Sequence, residues 1–232
     1  MSLAELNKDD RNIVTLEDPV EYVIDKINQM EAFPKIGLTF AAGLRAILRQ
    51  DPNIILVGEI RDLETAEIAM QASITGHLVF STLHTNDSVS SIHRLLNMKV
   101  EPFMIAGALR GVLAQRLLRR LCAKCKRPHK PTEAEARALA GAFKSGEKCF
   151  EPAGCPACFK SGYSGRVAVY EWLSASRLIR DLIMKQASID ELRAAAESEG
   201  MTNLRRSGLE KVRSGDTSLE EVLRMTRVQS EA

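Results

Sequence analysis

Residues 54–62 read IILVGEIRD: four apolar residues, then a glycine, an acid, an arginine and a second acid. A run this short, apolar on both faces and bounded by charge, matches a parallel strand covered by helices on each side. Such a strand cannot bury itself, so it commits the chain to an α/β sheet. It also delivers Glu59, Arg61 and Asp62 to the carboxyl edge, where open α/β sheets bind their ligands.

The neighbouring segments fit the same plan. RNIVTLEDPVEYVI predicts a strand over Ile13–Leu16 that ends at Glu17 and Asp18 and is stopped by Pro19. LTFAAGLRAILRQDPN predicts a helix with Leu44, Ile47 and Leu48 on one face and Arg45 and Arg49 four apart on another. DLETAEIAMQASITG predicts a helix opened by Asp62 and closed by Gly76. HLVFSTLH predicts a third strand, running out at His84, Thr85 and Asn86. DSVSSIHRLLNM predicts a helix, and PFMIAGALRGVLAQRLLRRL one long amphipathic helix from Pro102. MSLAELNKDDRN reads as the tail of a further helix. From Leu121 the character changes to Lys, Pro, Gly and Cys, with an Ala-rich helix expected at PTEAEARALAGAF. RVAVYEWL then predicts a strand, and three short helices follow, the last opened by Ser218 and Glu221 as a capping box. The expected organisation is an α/β core over 1–120, a tetracysteine subdomain over 121–165 and a mostly helical subdomain over 166–232.

Composition narrows the partners. A formal charge of +2 and 5% aromatic residues supply neither the basic footprint nor the stacking platforms of a nucleic-acid binder. No apolar run approaches the ~20 residues of a membrane span. The first residues lack the apolar core of a signal peptide, which favours the cytosol. Cys122-x-x-Cys125 and Cys155-x-x-Cys158 offer four thiolates, enough for a tetrahedral structural zinc with no position left for substrate. Redox cysteines and buried apolar cysteines are the alternatives, and Cys149 stands apart from the set.

Polar groups collect at three strand ends: Glu17 with Asp18, Glu59 with Arg61 and Asp62, and His84 with Thr85 and Asn86. An acid at such an edge can hold magnesium or orient an attacking water. Acids after strands also serve as caps and solvated turns, but three such ends in one unit favour chemistry. His84 faces the expected crevice, whereas His77, at the start of its strand, is equally suited to a structural bond. Arg45, Arg49 and Arg61 are either surface charges or forks for phosphate. No glycine in the chain is followed by lysine, so the phosphate-cradling G-x-x-x-x-G-K-[ST] loop is not among these residues.

TLEDPVEY, GLTFAAGLRAILRQDPNIILVGEIRD, TGHLVFSTLHTND and AQRLLRRLCAKC, in that order, resemble the Asp box, Walker B, His box and tetracysteine segments of the secretion ATPase superfamily. The likeness is to type II secretion ATPases and their siblings, the type IV pilus assembly ATPases, and runs from Arg11 to TSLEEVLRMT. It implies a RecA-like core that hydrolyses ATP as a homo-hexamer, with Mg2+ and Zn2+ as further ligands. It also implies a cytoplasmic place at the inner membrane, reached only through an inner-membrane platform and cytoplasmic secretion-system proteins. Glu59 matches the Walker B acid. Glu17 would share magnesium and water-activating duties with it, in a division left open. His84 would sense the γ-phosphate. Arg45, Arg49, Arg61 and, more weakly, Arg166 would contact phosphate or an adjacent subunit, and Cys122, Cys125, Cys155 and Cys158 would hold zinc. VEPFMIAGALRGVLAQRL favours secretion over pilus assembly. In this family the Walker A loop lies upstream of a helix ending in sequence like AELNKDDRN. The 232 residues are therefore expected to be the C-terminal part of a longer motor, inactive alone. A non-enzymatic zinc scaffold is the competing reading, and four cysteine ligands disfavour a zinc hydrolase.

Overall fold

The computed structural model describes residues 3–132 and 149–226. They group into two compact units, Met1–Val112 with Ser174–Ala195, and Leu113–Leu173 with Ala196–Ala232. This partition differs from the three consecutive segments expected from composition, because the chain returns to the first unit after residue 173.

The first unit is built on a four-stranded parallel sheet. In chain order it holds α1 (Leu3–Leu6), β1 (Ile13–Glu17), β2 (Asn28–Glu31), α2 (Phe40–Ile47), β3 (Ile54–Val57) and α3 (Leu63–Ile74). β4 (Leu78–Ser81), α4 (Ser88–Asn97) and α5 (Pro102–Ala108) follow. The strand order is β2-β1-β3-β4, and every neighbouring pair is parallel. Ile13, Val14 and Leu16 of β1 and Ile54, Ile55 and Val57 of β3 are buried, as are Leu44 and Ile47 of α2. Removing each such side chain from water contributes about 1.5–3 kcal/mol.

Helix starts follow the local sequence. Thr39 accepts from Ala42 N–H, Asp62 from Thr65 N–H at 2.8 Å and Asp87 from Ser90 N–H at 2.7 Å. α3 ends at Gly76, whose φ of +113° is the left-handed stop that glycine takes without strain. The edge strand β2 is a strand the sequence reading did not assign. It is short and polar, and β1 holds it through the ladder from Val14–Asn28 to Glu17–Glu31.

The second unit pairs β5 (Gly111–Leu121) with β8 (Tyr163–Ser174), and β6 (Arg127–His129) with β7 (Cys149–Glu151). α8 (Leu204–Arg213) and α9 (Leu219–Met225) complete it, while α6 (Arg177–Met184) and the start of α7 (Ile189–Ser198) belong to the first unit. One cluster unites Leu118, Cys149, Val169, Leu204, Leu209, Val212, Leu219 and Val222. Cys149 is therefore a core residue, its thiol donating to His129 O at 3.1 Å.

The long helix expected from Pro102 is corrected here: it stops at Ala108, and residues 111–121 form β5. Leu118 points inward while Leu113 and Leu117 are exposed, the alternation of a strand. The Ala-rich helix expected at PTEAEARALAGAF lies almost wholly outside the described residues. Ser218 caps α9 by accepting from Glu221 N–H, but the Glu221 carboxylate does not turn back to complete a capping box. It receives five hydrogen bonds from Arg119 and Arg224.

Candidate functional site

The carboxyl edge of the first sheet is set by strand register. Leu16 pairs with Val57, and Gly58 N–H donates to Leu16 O at 2.7 Å. Glu17 and Glu59 therefore leave adjacent strands at the same edge, Glu17 level with Gly58 and Glu59 one residue further on. A Cβ at position 58 would meet Leu16 O at 3.1 Å and Glu17 Cα at 3.3 Å, so a larger residue would press the two chains apart by a few tenths of an ångström. On the other side Ile60 N–H donates to Thr82 O, and Thr82 Oγ1 donates to Gly58 O at 2.6 Å. Those bonds fix the segment after β3 to the segment after β4, and His84 follows two residues later.

Glu59 is the centre of this edge. Its side chain is only 11% exposed, with Arg61 ion-paired to Oε1 and His84 Nε2 donating to Oε2 at 3.1 Å. The Arg61 hydrogen bond holds the carboxyl below its ordinary range against the opposing effect of burial, with a further contribution from His84. Arg61 and His84 are themselves 61% and 88% exposed. The acid is buried, whereas both of its partners are largely open to solvent.

Glu17 is held differently. Its Oε1 accepts from Thr15 Oγ1 at 2.6 Å and from Gln29 Nε2 at 3.0 Å. Thr15 is fully buried, which anchors that bond. Neither Thr15 nor Gln29 was singled out in the sequence. Thr15 sits inside an apolar strand, and Gln29 sits on the polar edge strand that carries no apolar pattern. Thr82 was equally silent, although it stands beside the His84 stretch.

The arginines are dispersed. Arg45 pairs with Glu64 at 2.7 Å, linking α2 to the first turn of α3, and Arg49 donates to Arg45 O. Arg166 is exposed on β8 in the second unit. Only Arg61 contacts one of the acids expected to be catalytic. His77 takes its structural option, with Nδ1 at 3.0 Å from Ala72 O. Asp62 is engaged as the cap of α3.

An open concavity of about 490 Å³ lies at the other end of the strands, lined by Asp9, Asp10, Arg11, Asn12, Gln50, Asp51 and Asn53. Asn12 and Asn53 bracket it structurally, Asn12 N–H donating to Asn53 Oδ1 and Asn12 Nδ2 to Gln50 O. The Glu59 group is not part of it.

In the second unit Cys122, Cys125, Cys155 and Cys158 place their four sulfurs within 4.8 Å of one another. The closer pairs are Cys122–Cys155 at 3.9 Å, Cys125–Cys158 at 3.8 Å and Cys155–Cys158 at 3.7 Å. A tetrahedron with centre-to-sulfur distances of about 2.3 Å has edges of about 3.8 Å, so the thiols fit zinc and are too far apart for disulfides. Burial pushes the Cys158 thiol up, and N–H donation from Cys155 and Gly162 more than offsets this, leaving it at about 6. Burial lifts Cys125 to about 11. Cys158 is thus the readier of these two to ionise, and Cys125 is one that a bound metal would have to deprotonate.

A parallel sheet with helices, a charged carboxyl edge and a tetracysteine module define a RecA-like α/β protein. A crystal structure of the pilus retraction motor PilT with bound ADP superposes with a TM-score of 0.67 at 30% identity, over 96% of this chain and 54% of that one. The chain belongs to the family described as Type II/IV secretion system protein, whose model matches residues 1–224. Among its relatives, the type II secretion system ATPase E of Vibrio cholerae is 48% identical over 97% of this chain and 44% of that protein. The type IV pilus assembly ATPase PilB of Acinetobacter baylyi is 51% identical over 95% of this chain and 39% of its own length. The chain thus spans less than half the length of these relatives. No helix among the described residues is long and apolar enough to cross a membrane.

Proposed function

We propose that these residues belong to an ATP-hydrolysing motor that drives pseudopilus assembly in type II protein secretion. The motor works as a homo-hexamer in the cytoplasm, bound to the inner membrane through a platform protein and other secretion-system proteins. One observation carries the reading: Glu59 is ionised, fixed at the carboxyl edge beside the Glu17 strand, and partnered by two exposed groups that a nucleotide can displace.

Mg2+, when bound, supplies charge compensation to the triphosphate. Glu59 and Glu17 divide between them the holding of that ion and the orientation of the attacking water. His84, once released from Glu59, presents Nε2 to the γ-phosphate. Arg61 exchanges its carboxylate for phosphate oxygens, while Arg45, Arg49 and Arg166 serve phosphate or a neighbouring subunit. The four cysteines hold Zn2+ as a closed structural staple.

Turnover in a version extended upstream through a P-loop tests this. Glu59→Gln and Glu17→Gln should each lower kcat by about 10²–10⁴-fold. Unchanged kcat in both overturns the motor reading and favours the zinc scaffold. The 232 residues alone should turn over no ATP, since they contain no Gly-Lys pair to cradle phosphate. Turnover by this chain that vanishes in Glu59→Gln would refute that. Pilus assembly is a second reading, favoured by the 51% identity to the Acinetobacter relative. Complementation of a secretion defect against a piliation defect separates the two.

A further inference from the structure

We infer that Gln29 is a positioning residue, whose side-chain amide holds Glu17 in place and ties that acid to the loop of residues 22–26. The inference rests on the proposed catalytic role of Glu17. It comes from one side chain making three bonds to two segments, the end of β1 and the loop. Gln29 Nε2 donates to Glu17 Oε1 at 3.0 Å and to Tyr22 O at 3.0 Å, and its Oε1 accepts from Ile24 N–H at 2.7 Å.

The chemistry leaves one orientation for the amide. Rotated by 180°, its oxygen would face the Glu17 carboxylate and the Tyr22 carbonyl, two acceptors, and its NH2 would face the Ile24 N–H. Both amide hydrogens and one oxygen lone pair are therefore used, and the register β2 makes with β1 places the residue within reach: Thr15 pairs with Gln29. Glutamate would set one carboxylate against another, and asparagine lacks a methylene of reach.

At this end of the loop Ile24 also packs against Ile13, Ile27 and Ile54 and accepts from Ile27 N–H, but the two residues before it are open. Tyr22 and Val23 are 82% and 91% exposed, so burial does not hold them. The far end is anchored separately, by Lys26 Nζ to Asp9 at 2.8 Å, by Asn7 Nδ2 to Asp25 O and by buried Ile27. A displacement of Tyr22–Ile24 therefore reaches Glu17 through the Gln29 amide. Thr15, fully buried, supplies the static half of the acid's support, and Gln29 supplies the half that can respond.

Two measurements test this. In the 232-residue chain, Gln29→Met should raise amide hydrogen exchange at Ile24 by about tenfold while the amides of Ile13–Leu16 and Ile54–Val57 keep their protection. Unchanged exchange at Ile24 overturns the tie. In the version extended through a P-loop, Gln29→Met and Gln29→Glu should each lower kcat by about tenfold to a hundredfold at unchanged KM for ATP. Full turnover in both, with turnover lost in Glu17→Gln, overturns the positioning role alone. Full turnover in Glu17→Gln overturns the catalytic reading of that acid and the positioning role with it.

Discussion

Glu59 in the first unit and Glu221 in the second are both carboxylates caught between two basic side chains, and both are held below their ordinary pKa. Glu59 receives one contact on each oxygen, from Arg61 and from His84. Glu221 is fully buried and receives five hydrogen bonds, three from Arg119 and two from Arg224. Arg119 is further pinned over the Tyr163 ring at 4.1 Å, and Tyr163 is hydrogen-bonded to Ser218. The difference lies in what a competitor would have to break. At Glu221 the carboxylate is wholly enclosed although the Arg119 and Arg224 side chains are 47% and 54% exposed, and five hydrogen bonds must break before it is freed. At Glu59 only two contacts, both from largely exposed side chains, stand between the buried acid and a ligand.

The contrast predicts a graded set of outcomes. The largest concerns the tetracysteine module, the most closed site of the second unit. Structural zinc in small modules binds with about 10–16 kcal/mol of apparent free energy. Chelation, or Cys158→Ser, should therefore abolish zinc retention in metal analysis and the cooperative melt of the second unit, leaving the parallel sheet's circular dichroism in place. Next in size, Glu221→Ala should cost about 1–3 kcal/mol, because it removes five hydrogen bonds and leaves the Arg119 N–H and two half-exposed guanidiniums without their acceptor. A thermal melt reads it, and a loss below 1 kcal/mol would erase the distinction between the two acids.

Acid sharpens the same comparison. Burial raises the Glu221 pKa, but donation from Arg224 and Arg119 outweighs it and brings the group to about 2. Its contribution is complete above about pH 5 and is lost as pH falls toward 2. Acid titration followed in the second unit should show that loss, and it should disappear in Glu221→Gln. The smallest effect is at the rim: Glu59→Gln should change stability by less than about 1 kcal/mol, the range of ion pairs with exposed partners. A larger loss would make Glu59 a structural acid like Glu221.

Much of the first unit was legible because β1 and β3 are buried on both faces and several helices carry side-chain caps. IILV and NIVTL announce themselves, and Thr39, Asp62 and Asp87 mark where helices begin. The stretch 111–121 misled for a physical reason. Leu113, Leu117 and Leu121 recur every four residues, and its Gln, Arg and Leu are good helix formers. Pairing with β8 overrides that propensity, as tertiary context does for strands. β2 was invisible because an edge strand held by ladder bonds needs no apolar pattern. At the rim, Glu59, Arg61 and His84 could be named from charge at strand ends. The supports of Glu17 could not, since a threonine in a strand and a glutamine on an edge become informative only when register brings them together.

Asp62 has one further consequence. Its two oxygens already accept from the Thr65 amide and hydroxyl, so of the two acids in GEIRD one fastens a helix and the other is held at the sheet's edge by Arg61 and His84. Over evolutionary drift the two positions obey different rules. Serine, threonine or asparagine at 62 would still begin the helix and leave the chemistry untouched. On the function proposed above, the same replacements at 59 would leave a well-formed protein with an idle edge.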